Sequence, residues 1–143
     1  MNFSFANKVS ELIGQKGSIF RKGQLIPQQE MLEFGIEILV DYYRKKGMIV
    51  RNINPSLDKS NPHFIMEIKN GSIYYVAVNA HLYSANSNEI DAMEYSGLRD
   101  YAINFGAIPV FAIILFVPIL TFSISESSFE GKFLIVYNGL LQL

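Results

Sequence analysis

Residues 64–80 read Phe-Ile-Met-Glu-Ile-Lys-Asn-Gly-Ser-Ile-Tyr-Tyr-Val-Ala-Val-Asn-Ala. Two strand-like runs, 64–68 and 73–80, flank an Asn70-Gly71 turn signal. Phe64, Met66 and Ile68 make one apolar face, and Tyr74, Val76 and Val78 make its match on the second run. All of these positions are even-numbered, so residues of equal parity must pair to keep one face buried. A Lys69-Asn70-Gly71 loop with a left-handed glycine meets that condition, whereas a two-residue loop does not. The opposite face then carries His63, Ile65 and Glu67 beside Tyr75, Ala77 and Asn79.

Upstream, Met31, Leu32, Phe34, Gly35, Ile38, Leu39, Tyr42 and Tyr43 recur at three- and four-residue spacing. That spacing predicts a helix over 28–46, opened by Pro27 and stopped by Gly47. Arg44, Lys45 and Lys46 lie in its last turn, where cations meet the negative end of the dipole. A strand over 48–53 and a polar loop over 54–62 lead into the hairpin. Downstream, an apolar side of Ile90, Met93, Leu98, Tyr101, Ala102 and Phe105 predicts a helix over 89–105, capped at Ser87 or Asn88. Phe3, Phe5, Val9, Leu12 and Ile13 suggest a short helix ending at Gly14, and 17–27 a loop or short strand. Residues 123–128 read as a loop and 133–137 as a last strand, followed by Asn138-Gly139 and an apolar tail, 140–143. The tail, if exposed, would supply part of an interface.

The run 101–125 carries no charge. Hydropathy alone would accept it as a membrane span, and a small membrane-associated protein anchored by 106–122 is the alternative it raises. Pro109 and Pro118 each break a helical ladder, and 108–116 is rich in Ile, Val and Phe. Residues 108–116 are therefore expected to be a strand buried on both faces. Residues 1–10 lack a signal-peptide core, which predicts a cytoplasmic protein with no membrane partner.

The chain has 143 residues, the length of a single domain. Half of the residues are hydrophobic and 17% are charged, which excludes a disordered chain. It contains no cysteine, so disulfides, thiolate metal sites and cysteine nucleophiles are excluded. The net charge of −1 gives non-specific nucleic-acid binding no help.

The expected order is helix, strand, two-stranded hairpin, helix, strand. It resembles the core of the PD-(D/E)XK nuclease superfamily, the restriction-endonuclease-like fold. Asn61-Pro62-His63-Phe64-Ile65 sits where the family has proline-aspartate at a strand start. Residues 75–80, Tyr-Val-Ala-Val-Asn-Ala, sit where it has acid-x-lysine in the next strand. Tyr101 through Pro109-Val110 resembles the later helix and strand. The resemblance covers 28–117, with 1–27 as an N-terminal extension and 118–143 as a C-terminal strand and tail. It implies an α/β domain whose mixed sheet is flanked by helices.

The motif itself is degenerate. His63 stands at the aspartate position, Ala77 at the glutamate position and Asn79 at the lysine position. In active relatives the acids bind a divalent metal, usually magnesium, and the lysine helps place the attacking water. Alanine cannot bind a metal and neutral asparagine supplies no charge. The resemblance thus implies a non-catalytic nuclease-like domain with no cofactor and a role in binding or assembly, as a homodimer or with a protein partner.

The competing reading is a divergent magnesium-dependent nuclease. Glu33, Glu37 and Asp41 form an i, i+4 stripe on the first helix, where several relatives carry a metal-binding glutamate. Glu33 or Glu37 with His63, and Glu67 from an acid-x-lysine sequence at 67–69, would then form the site. Against it, Glu67 and His63 share one strand, and the stripe also reads as a solvated helix face. Arg44, Lys45, Lys46 and Arg51 are the one dense basic group, and they are the candidate nucleic-acid contacts. Tyr42 and Tyr43 beside them read as core and rim. His81 follows the hairpin, and the two histidines have no ligand spacing.

Overall fold

The structure is a computed structural model and describes residues 11–14, 20–21, 24–25, 28–82, 91–118 and 133–143. In chain order it contains β1 (Glu11–Gly14), β2 (Phe20–Arg21), β3 (Gln24–Leu25), α1 (Gln28–Lys45), β4 (Ile49–Arg51), β5 (Phe64–Glu67) and β6 (Ile73–Leu82). A 3-10 turn over Ala92–Tyr95 then leads into α2 (Ser96–Asn104), β7 (Ile108–Pro118) and β8 (Phe133–Gln142). The chain is an α/β protein. One mixed sheet has the order β1-β8-β7-β6-β5-β4, and β2 and β3 form a separate two-stranded ribbon.

The hairpin has the register that its apolar pattern demands. Phe64 pairs with Val76 and Met66 with Tyr74. The Ile68 N–H donates to Ser72 O at 3.1 Å, closing a loop of Lys69, Asn70 and Gly71, with Gly71 at φ +89°. Phe64, Met66, Tyr74, Val76 and Val78 enter the core under α1, while Ile65, Tyr75 and Ala77 enter a second core under α2. Alternation along the strands thus divides the apolar residues between two layers.

Within the uncharged run, Ile108–Pro118 forms β7, parallel to β6 and antiparallel to β8. Val110, Ala112, Ile114 and Phe116 face the α1 core; Phe111, Ile113 and Leu115 face the α2 core. A strand covered on both faces needs an apolar side chain at every position, so it lacks the alternation of a half-exposed strand. Among the described residues, no helix is long and apolar enough to cross a membrane.

Both helices end the same way. Gly47, at φ +91°, donates to Arg44 O, and Met48 N reaches back to Tyr43 O at 3.1 Å. Gly106, at φ +70°, donates to Ile103 O, and Ala107 N reaches Ala102 O at 2.8 Å. Left-handed glycines of this kind satisfy the last carbonyls and turn the chain into the following strand.

Several expectations change. Glu11–Gly14 is a strand rather than a helix end, because the outer edge of β8 offers it a backbone ladder from Glu11↔Tyr137 to Gly14↔Ile135. Tertiary pairing of this kind overrides a weak local preference. The second helix is shorter than 89–105: Asp91 caps a 3-10 turn by accepting from Met93 N, and α2 starts at Ser96. The Ser87, Asn88 and Ile90 positions and Pro27 lie outside the described residues, as does the loop 123–128. Only Leu98 and Ala102 of the expected apolar side are buried; Met93, Tyr101 and Phe105 are exposed. On that flank Tyr101 meets the edge of Tyr75, with ring centroids 5.5 Å apart, and Phe105 at 5.1 Å.

The apolar tail is not a free end. β8 runs on through Asn138-Gly139, where pairing passes from Ile114↔Tyr137 to Ala112↔Leu140 and Gly139 has φ +95°. The extra residue is absorbed as a bulge. Leu140 is 2% exposed, and Leu143 N donates to Pro109 O. The tail therefore pairs into its own sheet, with Leu140 buried and Leu141 left 44% exposed.

Candidate functional site

The hairpin strands differ in length, and the site lies where the longer one outruns the shorter. The last backbone bond on that side is His63 N to Val76 O, 2.8 Å. Pro62, which has no N–H, precedes it and the chain turns away. From Val78 onward, side chains take over the edge of β6. Val78 N donates to His63 Nδ1 at 2.7 Å, and Gln28, at the start of α1, donates from Nε2 to Ala80 O at 2.7 Å. Buried backbone groups need partners, and these two residues supply them.

His63 is thereby fixed in one form. Nδ1 accepts from Val78 N–H, so the proton sits on Nε2, which donates to Ser56 O at 2.7 Å. The ring is 4% exposed, and burial lowers its pKa, with the Ser56 bond opposing. It is a neutral imidazole with both nitrogens in use. A metal ligand needs a free lone pair on one of them, and His63 has none.

Around these bonds lies a cavity of about 300 Å³. Gln28 and Leu32 of α1, Leu57 and Lys59 of the preceding loop, His63, residues 78–81 of β6 and Tyr95 line it. Asn79 ties the polar wall together: its Oδ1 lies 3.0 Å from His81 Nδ1, and its side chain hydrogen-bonds Tyr95. Tyr95 stacks on Phe111 with centroids 6.2 Å apart. Burial raises the Tyr95 pKa; the Lys59 ammonium, 5.6 Å from the ring centroid, opposes. Glu94 binds Lys59 and raises the pKa of its ammonium. No carboxylate is among the described lining residues. The described wall offers an ammonium, amide and imidazole groups and a phenol ring, without the carboxylates that divalent cations favour.

The expected site residues divide. His63 and Asn79 meet in the cavity beside α1. Ala77, 1% exposed, points the other way, into the α2 core. Glu33 and Glu37 lie on the outer side of α1 and line a different groove, with Asp41. Glu67 lies by the hairpin turn, 3.3 Å from Arg51. The carboxylates proposed to join His63 therefore do not converge on it. Among the described residues, no group of three or more His, Asp or Glu is placed to hold a metal ion.

The basic group is engaged within the chain. Arg44 donates to Val50 O at 2.9 Å, Lys45 pairs with Asp41 at 2.9 Å and Lys46 lies over the Tyr42 ring. Tyr43 is buried, with its hydroxyl bonded to that of Tyr137. Gln28, Lys59 and Tyr95 were not legible as site residues. Their convergence depends on a loop and a 3-10 turn meeting across β6, and no local spacing records that.

The chain belongs to the family of the domain of unknown function DUF8840, whose model matches residues 29–143. No curated protein and no solved structure matches it.

Proposed function

We propose that this chain is a restriction-endonuclease-like domain that has lost metal-dependent cleavage and acts in binding or assembly, with a protein partner or a second copy. The fold reading rests on the order α1, β4, β5, β6, α2, β7, with an antiparallel β4–β5–β6 meander and a crossover to the parallel strand β7. The observation that carries the functional reading is His63. At the position that the resemblance assigns to a metal-binding aspartate, a neutral ring spends both nitrogens on backbone groups. Asn79 sits in the cavity where a lysine would act, and Ala77 is buried away from it. Magnesium would find no hard oxygen ligand of a side-chain carboxylate in that wall.

The test is an assay with magnesium or manganese on single-stranded, duplex and branched DNA, with melting temperature followed as metal is added and mass measured in solution. The expected result is no cleavage and no metal-induced rise in melting temperature. Metal-dependent cleavage that disappears in Glu33→Gln, Glu37→Gln or His63→Asn would establish the divergent nuclease instead.

A further inference from the structure

A buried ring ties the loop 54–62 to β6. His63 Nδ1 accepts from Val78 N–H at 2.7 Å, and Nε2 donates to Ser56 O at 2.7 Å. The two bonds have opposite polarity, and only a neutral imidazole makes both. A second proton would set Nδ1–H against Val78 N–H, donor to donor, while Nε2–H keeps Ser56 O. The ring then stays with the loop and parts from the strand. We propose that His63 is a proton-sensitive latch, holding the loop over the 300 Å³ cavity when neutral and releasing it from β6 when charged.

The loop's other described bonds confine the movement. Asn54 N donates to His63 O at 2.8 Å and the Gln29 side chain donates to Pro55 O, which anchors the start of the loop. Asp58 N donates to Ser56 Oγ at 3.1 Å and Ser60 N to Asp58 Oδ1 at 2.9 Å. These two are local turns that travel with the loop. Lys59 pairs with Glu94, but both side chains are about half exposed, and such pairs hold weakly. The Val78 bond, by contrast, is buried, and its loss uncovers the cavity along β6.

The charged and titratable groups around His63 are Asp58 and Lys59 from the loop, His81 from β6, and Glu94 and Tyr95 from the 3-10 turn. α1 brings Gln28 and Leu32 to the cavity, and β7 is apolar throughout. Bonds from Ser60 hold the Asp58 carboxyl below its ordinary range, so it keeps its charge while a histidine titrates. Burial lowers the His63 pKa from 6.5, with the Ser56 bond opposing, so release belongs below that pH.

The experiment follows amide exchange and the His63 ring by NMR on the full chain as pH falls from about 7. Wild type is compared with His63→Gln, which keeps an acceptor and a donor but does not titrate, and with His81→Gln. In wild type, protection of the Val78 amide is expected to fall about tenfold, with a midpoint matching the His63 ring. Amides of 54–60 follow it, while those of Ala112 and Ile114 in β7 stay protected. His81→Gln keeps the release and His63→Gln abolishes it. The proposal is overturned if Val78 stays as protected as β7 until the whole chain unfolds. It is overturned equally by a fall that His63→Gln shares, by one that His81→Gln removes, or by a midpoint that differs from that of the wild-type ring. None of these outcomes bears on cleavage, so the latch and the loss of catalysis stand or fall separately.

Discussion

At the scale of single residues, His63 holds the edge of β6 to the preceding loop. Replacing it with alanine leaves Val78 N–H and Ser56 C=O without their partners and opens space beside them. His63→Ala is expected to lower unfolding free energy by about 2–4 kcal/mol, read by denaturant titration. The pH dependence has a definite sign. The folded pKa lies below the ordinary 6.5, so between the two values the unfolded chain binds the extra proton. The contribution of the neutral ring is full above about pH 6.5 and is lost as pH falls towards the lowered folded value. Wild type should therefore lose stability more steeply than His63→Ala on acidification through that window. Ala77 supplies a second test. Ala77→Glu, the acid that the proposed nuclease-like reading would put there, places a carboxylate among Tyr75, Leu98 and Phe111. The expected loss is about 3–5 kcal/mol, with no gain in magnesium affinity by calorimetry. That His63 and Asn79 belong together was legible from the sequence, and they share one cavity. Strand parity had placed Ala77 on one face with His63 and Asn79, so its burial in the α2 core, away from their cavity, was not legible. What His63 does instead was not legible, because Ser56 and Val78 reach it only once loop and strand are folded together.

At the scale of elements, α1 and β6 approach closely at one point. A Cβ added to Gly35 would lie 2.9 Å from Ala80 Cβ, which is anchored to a central strand and cannot swing away. Gly35→Ala gains about 1 kcal/mol of helix propensity and incurs about 1–3 kcal/mol of overpacking. A net loss of up to about 2 kcal/mol is expected. Combining it with Ala80→Gly should lose less than the sum of the two single variants, as a double-mutant cycle measures. Gly35 also appears in the sequence as a small member of an apolar stripe, but the strand residue it accommodates is a tertiary fact. The helix 28–46 and the hairpin were legible because their periodicities differ and their turn residues agree. The helix over 89–105 was overextended because Met93, Tyr101 and Phe105 continue an apolar pattern that the fold leaves in solvent. Residues 133–143 were divided at Asn138-Gly139, a turn signal that the sheet uses as a bulge.

At the scale of the molecule, the sheet is ordered so that its most apolar strands lie inside. β7 and β6 are covered on both faces and paired on both sides, while β4 is a short edge strand with Ile49 and Arg51 exposed. Hydrogen exchange should follow that order: amides of β6 and β7 should be the slowest, and those of β4 should exchange earlier. Equal protection across the sheet would contradict the layering. Sequence by itself determined the α/β class, the first helix, the hairpin and its register, and the buried strand. Each of these rests on local periodicity, turn chemistry or uninterrupted apolar composition, which the chain carries whatever its surroundings. Tertiary structure alone decided that 11–14 pairs with β8, that the apolar tail closes its own sheet, and that His63 serves the backbone. It also placed Glu33 and Glu37 in a groove away from that histidine. Such outcomes depend on which backbone edges and side chains meet across long loops, and a hydrogen bond satisfied at a distance leaves no spacing in the chain to read.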